Sequence, residues 1–273
     1  MPAEFPKISI VTVSFNQGSF IEDNILSVIN QNYPNVEHII IDAGSTDGTL
    51  DILKKYDNYL NWTSEPDKGQ SDGLNKGFKK ATGEIIGWIN SDDRLAPDAL
   101  NKVAKFFFES PYEIALVGNL NLIDVKGNFI RTIQSKSYQY WNMINKDRGV
   151  TQPSTFFKKE VFEKIGFLDT NLHYAMDFEF FLRVSSLRDV PYINETLAEF
   201  RIQPNAKTTN GLAKFRKEHI KIARKYKASI FSRGILSDLY VIITEPLRRV
   251  NSIRNFIRKI KRVEPYNENI FNV

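Results

Sequence analysis

The sequence predicts an α/β fold: a doubly wound, mostly parallel mixed sheet over residues 1–206, followed by a helical extension over 207–273. Three observations carry this expectation. Short β-branched runs alternate with segments of helical apolar spacing through the first half of the chain. The loops that follow three of those runs are rich in Asp, Asn, Ser and Gly. Charge also divides the chain: residues 1–206 carry 21 Lys/Arg against 27 Asp/Glu, or −6, and residues 207–273 carry 16 against 5, or +11.

Residues 8–14, Ile-Ser-Ile-Val-Thr-Val-Ser, read as a buried strand ended by the turn Phe15-Asn16-Gln17-Gly18. Ile21, Ile25, Val28 and Ile29 recur at helical spacing until Tyr33-Pro34. A second strand over 36–41 ends in Asp42-Ala43-Gly44-Ser45-Thr46-Asp47-Gly48 and leads to a helix over 50–56. The pattern repeats with strand 60–64, helix 70–81 and strand 84–89, and then loosens. Helix 97–109, strand 114–118, antiparallel pieces near 120–133, helix 138–145, strand 154–158, helices 159–164 and 177–187 and a strand near 190–197 close the domain. Phe106-Phe107-Phe108 reads as helix core, and beyond Gly211 the pattern is helical.

Composition narrows the chemistry. With no cysteine among 273 residues there is neither a disulfide framework nor a thiolate metal site, so a metal must be held by carboxylates, amides or the three histidines. That selects a hard ion, Mn2+ or Mg2+. His38 and His173 lack partners at zinc-site or nucleophile spacing and read as structural. No dinucleotide fingerprint or P-loop lysine motif is present, which argues against an oxidoreductase or an ATPase. The N-terminus lacks a secretory signal, and the longest apolar run, 236–243, is broken by Asp238 and stopped by Glu245-Pro246, so a cytoplasmic location is expected.

In a doubly wound sheet, ligands bind beyond the carboxyl ends of the strands. Asp42 ends the second strand, where a carboxylate can accept from the ring N–H of a base such as uracil, and Gly44 leaves the ligand room. The same residues also read as a turn and helix cap, with Asp47 or Thr46 capping. Asn90-Ser91-Asp92-Asp93 ends the fourth strand; adjacent carboxylates repel unless compensated, and a divalent ion on a diphosphate would compensate them. A cap before Pro97 is the alternative there. Residues 64–77 combine a turn with a helix start, where backbone N–H groups favour an anion.

Taken together and in order, Val13-Ser14-Phe15-Asn16-Gln17, the Ile41-to-Gly48 segment, residues 64–77 and Gly83-Glu84-Ile85-Ile86-Gly87-Trp88-Ile89-Asn90-Ser91-Asp92-Asp93 resemble the successive motifs of glycosyltransferase family 2. A looser likeness continues through Gln152-Pro153 and His173-Tyr174-Ala175-Met176-Asp177 to Phe200-Arg201. The resemblance implies a GT-A fold and inverting transfer of a sugar from a nucleotide-diphosphate donor, with a uridine base, to an acceptor hydroxyl. It implies donor contacts from Thr12, Ser14, Asn16, Asp42, Gly44, Asp72, Asn75, Ser91, Asp92, Gln152 and Arg201, a metal on Asp92 and Asp93, and Asp177 as catalytic base. On the residues alone, Asp177 before an apolar helix reads as a first-turn acid. Two positions depart from the pattern: Asn90 stands where the family has Asp, and Gln203 where it often has His.

Arg248-Arg249, Arg254, Arg258-Lys259 and Lys261-Arg262, interleaved with Val250, Ile253, Phe256, Ile257 and Ile260, form a basic amphipathic segment. It reads either as a helix lying on the anionic inner membrane surface, peripheral to it, or as one packed on the domain; no nucleic-acid reader motif accompanies it. By analogy the acceptor is a saccharide or lipid-linked saccharide of cell-surface polysaccharide or glycolipid assembly. Two rival readings are a non-catalytic nucleotide-sugar or carbohydrate binder, with Asn90 and Gln203 marking decay, and a sugar nucleotidyltransferase. The latter usually opens on a basic phosphate loop, and the first turn here has no cation.

Overall fold

The computed structural model describes residues 5–146, 149–203 and 212–248. Four strands, β1 (Ile8–Ser14), β2 (Val36–Asp42), β3 (Asn61–Ser64) and β4 (Ile85–Trp88), form a parallel wing in the order β3-β2-β1-β4. Crossover helices join them: α1 (Ile21–Ile29), α2 (Thr49–Lys55) and α3 (Gln70–Lys80). The register pairs Ser14 with Asp42 and Asp42 with Ser64, so three of the polar loops leave the sheet from one edge. This is the placement expected of an open parallel sheet.

The sheet continues through β8 (Thr155–Lys158), β6 (Ala115–Ile123), β9 (Tyr192–Arg201) and β5 (Arg94–Leu95), with β7 (Phe129–Ile133) paired to β6. β8, β5 and β7 run against their neighbours, so six of nine strands share one direction. Around it lie α4 (Ala99–Glu109), α5 (Tyr140–Asn145), α6 (Val161–Ile165) and α7 (Met176–Leu187), followed by α8 (Leu212–Lys225) and α9 (Arg233–Arg248).

β1 is buried throughout because both faces are covered: Ile8 and Ile10 face a cluster with Leu100, Val103 and Phe107 of α4, and Val11 and Val13 face one with Leu74, Phe78 and Trp88. The second cluster extends to Phe157, Phe180 and Phe181, and it includes Ile222 of α8. That helix therefore shares a core with the sheet.

Three expectations are corrected in detail. Strand 114–118 and the start of the following segment merge into the nine-residue β6. The last strand runs on to Arg201, because its end pairs with β6 through Ile123 and with the two-residue β5, which is too short to show a period. Of the three consecutive phenylalanines Phe107 is core, whereas Phe108 is 58% exposed. The boundary expected near residue 206 and the basic segment beyond Arg248 lie outside the described residues. No helix among the described residues is long and apolar enough to cross a membrane.

α3 lies close on the wing at Gly77, where an added Cβ would sit 2.4 Å from Val11 Cγ1 and 3.3 Å from Ile41 Cγ1. Both neighbours are immobilised in the sheet. Gly77→Ala is expected to cost about 1–3 kcal/mol by overpacking, read as a lowered midpoint in urea unfolding.

Candidate active site

The polar edge of the wing opens into a cavity of about 860 Å3. Five of the residues given a catalytic, donor or metal role from sequence face it: Ser14, Ser91, Asp92, Gln152 and Asp177. They come from β1, the turn after β4, the 3-10 turn before β8 and the first turn of α7. The rest of the predicted set is placed elsewhere, with identifiable causes.

The paired carboxylates are divided. Asp92 is half-buried in the cavity wall, and its Oδ2 accepts from Gln203 Nε2 at 2.6 Å. Asp93 is fully buried behind it: Oδ1 accepts from the Arg201 backbone N–H at 3.0 Å and Oδ2 from Asn90 Nδ2 at 3.2 Å. Asp93, expected to hold a metal with Asp92, thus lies behind the cavity wall with both carboxylate oxygens accepting from the protein. Burial raises the proton affinity of both carboxylates, and for Asp93 the charge of Asp92 adds to it. Asn90 also accepts from Gln70 Nε2 at 2.9 Å, so its amide donates on one side and accepts on the other, which an ionised Asp could not do.

Arg201, expected to contact the donor, is likewise placed behind the wall, being 1% exposed and no part of the cavity lining. Its guanidinium donates to the carbonyls of Asp92, Asp124 and Val125 and pairs with Asp23 at 2.8 Å. It also stacks over Phe20.

Asp42 is fully buried under its own loop, accepting from the N–H groups of Gly44 and Ser45 and from the hydroxyls of Ser45 and Ser64. The turn reading describes these bonds. Gly44 adopts φ +84°, a left-handed conformation that L side chains rarely take, so the backbone itself calls for glycine there. Asn16 ties this loop to the first, accepting from Thr46 N–H at 2.9 Å. Thr12 is in the core against His38, whose burial depresses its pKa to about 3 and keeps the ring neutral. Asp72 accepts from Lys68 N–H, and the Asn75 amide clasps both backbone groups of Leu168. None of these side chains lines the cavity; from that loop Pro66, Asp67, Gly69 and Gln70 do.

Asp177 projects from the start of α7, its Oδ1 accepting from Phe178 N–H at 2.8 Å. Desolvation in the cleft, with a smaller push from the Glu218 carboxylate, raises its pKa to about 6. Beside it the Tyr138 hydroxyl, held by Thr151 and Thr155, is pushed up to about 12 by burial and stays protonated. Gln152 donates to the Trp88 carbonyl, and the Trp88 ring stacks on Phe181. His173, read as structural, borders the cavity, as do Tyr138, Arg216 and His219. The last two sit on α8, far along the chain, and the helical period of that segment carries no sign of the site.

No group of three or more His, Cys, Asp or Glu among the described residues could enclose a metal. The cavity fits one in the way hard ions are commonly held on phosphates: one carboxylate, Asp92, with the remaining positions left to substrate oxygens and water.

The chain belongs to glycosyl transferase family 2, whose family model matches residues 9–190. It is 35% identical over 121 residues to TuaG of Bacillus subtilis, a protein whose name proposes a role in teichuronic acid biosynthesis as a glycosyltransferase. It is 28% identical over 179 residues to a poly-beta-1,6-N-acetyl-D-glucosamine synthase of Staphylococcus epidermidis. The matches cover 41% and 60% of this chain and 46% and 42% of those proteins, so the chain spans about half the length of such relatives. Among solved structures it resembles Staphylococcus aureus TarS 1–349 in complex with UDP-GlcNAc (19% identity, TM-score 0.63, covering 94% of this chain and 76% of that one). It also resembles the mannosyltransferase PcManGT of Pyrobaculum calidifontis in complex with GDP-Man and Mn2+ (17%, TM-score 0.65, 96% and 77%). At these identities the likeness establishes the GT-A type of fold.

If Arg201 is a tie and not a ligand, Arg201→Met leaves three carbonyls short of a donor, at about 1–3 kcal/mol each when buried. The expected result is a loss of at least about 3 kcal/mol in unfolding free energy, read in urea unfolding without nucleotide.

Proposed function

We propose that this protein transfers a sugar from a nucleotide-diphosphate donor, with a uridine base, to an acceptor hydroxyl with inversion. The observation that carries the reading is that Asp92 and Asp177 face one cavity while Asp177 is tuned to titrate near neutrality. An acceptor hydroxyl beside Asp177 gives its proton to that carboxylate as its oxygen attacks C1. The bond from C1 to the diphosphate oxygen breaks on the opposite face, which inverts the centre. A Mn2+ or Mg2+ held by Asp92 would neutralise the departing diphosphate. Ser14, Ser91 and Gln152 offer hydrogen bonds along the donor's path.

The acceptor we infer is a saccharide or lipid-linked saccharide in cell-surface polysaccharide or glycolipid assembly, met at the cytoplasmic face of the membrane, where the basic C-terminal segment would favour anionic lipid. The binder alternative rested on Asn90 and Gln203. Both amides donate to the site's carboxylates, which speaks for an integrated site over a decayed one.

Three outcomes are expected. Calorimetry across nucleoside diphosphates should show binding that requires Mn2+ or Mg2+ and is abolished by chelator. Asp92→Asn should weaken it by at least the roughly 10–100-fold that loss of a supporting ligand contact costs. Asp177→Asn should keep donor binding and lose about 10²–10⁴-fold in kcat; near-normal transfer by this variant would remove Asp177 from the mechanism.

The pH dependence follows from the raised pKa. Below about 6 Asp177 keeps its proton and cannot accept another, so kcat rises with pH through that value and then levels. Over the same window the folded state binds the extra proton, so stability falls as pH rises from the ordinary carboxylate range to about 6. Asp177→Asn is therefore expected to melt no lower than the parent at pH 7, in scanning calorimetry, although it is inactive.

A further inference from the structure

α8 touches almost every neighbour of Asp177. Glu218, in its second turn, reaches across to the loop before α7, where Oε1 accepts from the His173 N–H at 3.1 Å and Oε2 from those of Tyr174 and Ala175 at 2.9 Å each. Ala175 is the N-cap of α7 and makes no side-chain cap of its own, so the first turn of that helix is capped from another helix. The next residue, His219, packs its ring on Phe178 with centroids 4.6 Å apart. At the far end of α8, Tyr226 donates to the buried Glu179 at 2.6 Å, with Lys225 at 3.5 Å. The base is thus flanked by contacts to 173, 174, 175, 178 and 179, all from one helix.

We propose that Glu218 is a positioning residue for transfer: it holds the 173–175 loop so that the carboxylate of Asp177 meets the acceptor hydroxyl, and it makes α8 a working part of the site. The inference rests on Asp177 being the base. A carboxylate is suited to this place, because three converging N–H groups at a helix N-terminus favour an anion. The negative charge also acts on Asp177 itself, favouring its protonated form. Among the described residues, the titratable groups sharing the cavity wall with Asp177 include Tyr138, which stays neutral, Asp92, Lys136, His173, Arg216 and His219. Arg216 is paired with Asp238 at 3.2 Å.

The test compares full-length parent, Glu218→Gln, Glu218→Ala and the exposed control Lys217→Ala. Readouts are kcat, donor KM, melting temperature and the titration of Asp177 followed by carboxyl NMR. Glu218→Ala should lose on the order of 10²-fold in kcat, the scale of a small misplacement of a reacting group, with donor KM little changed. Glu218→Gln, nearly isosteric but uncharged, should recover part of kcat and move both the acid limb of the rate profile and the NMR titration of Asp177 to lower pH. Lys217→Ala should match the parent. Full activity in Glu218→Ala, or coincident Asp177 titrations in parent and Glu218→Gln, would overturn the proposal. Should Glu218→Ala fail to fold, the Glu218→Gln titration decides. A parent that titrates as expected, responds to Glu218→Gln and yet transfers no sugar would sink the transferase reading and leave the link between Glu218 and Asp177 standing.

Discussion

The guanidinium of Arg201, sunk where the end of β9 meets the turn after β4, holds the candidate site in shape. It binds the carbonyl of Asp92 from behind, those of Asp124 and Val125 in the turn between β6 and β7, and the carboxylate of Asp23 on α1. Its own backbone N–H goes to Asp93, so the strand and the turn are stitched twice within two residues. Asn24 on α1 closes the arrangement by donating to the carbonyls of Asn90 and Asp93. With Asp93 committed inward, the turn has one direction left for Asp92, and that direction is the cavity. A buried carboxylate with a raised proton affinity is costly to keep; here the cost is offset by converging donors, and the result is a fixed aim for its neighbour.

The two departures from the family pattern make sense within the same junction. Three carboxylates at 90, 92 and 93 would share one desolvated turn, where Asp92 already raises the proton affinity of Asp93. Asn90 replaces one charge with an amide that donates to Asp93, and Gln203 donates to Asp92. The turn is held by neutral donors from two sides and by Arg201 from behind, with the cavity face of Asp92 left to whatever enters.

How much of this could be read from residues depended on range. The parallel wing was legible because each strand is a self-contained β-branched run and each crossover a self-contained helical period. The loops at its edge were legible for the same reason, since polar turn residues after a buried strand announce themselves. What each loop residue does was far less legible. Asp42, Asn75 and Arg201 are chemically suited to ligands and equally suited to backbone groups, and only the fold decides: Asn75 meets Leu168 and Arg201 meets Asp124, pairs separated by 93 and 77 residues. Short elements such as β5 show no period, and the role of α8 beside the site was invisible because its helical pattern records what it packs on and not what its polar face reaches.

Charge sets a further constraint on the cavity. The cavity wall carries Asp67, Asp92 and Asp177, and burial has already made ionisation harder for Asp92 and Asp177. Of the cations in the wall, Arg216 is paired with Asp238, and Lys136 follows β7. In the proposed reaction a diphosphate donor would bring further negative charge beside Asp92, and a cation arriving with it would offset that repulsion. A divalent ion carried by the diphosphate and completed by Asp92 would do so with a single protein carboxylate. As the proposed base, Asp177 would need the opposite treatment, a site that keeps its basicity high enough to take a proton, and desolvation together with the charge of Glu218 acts in that direction. The separation of the two carboxylates onto different elements, one on the turn after β4 and one on α7, is what lets a single cavity meet both demands.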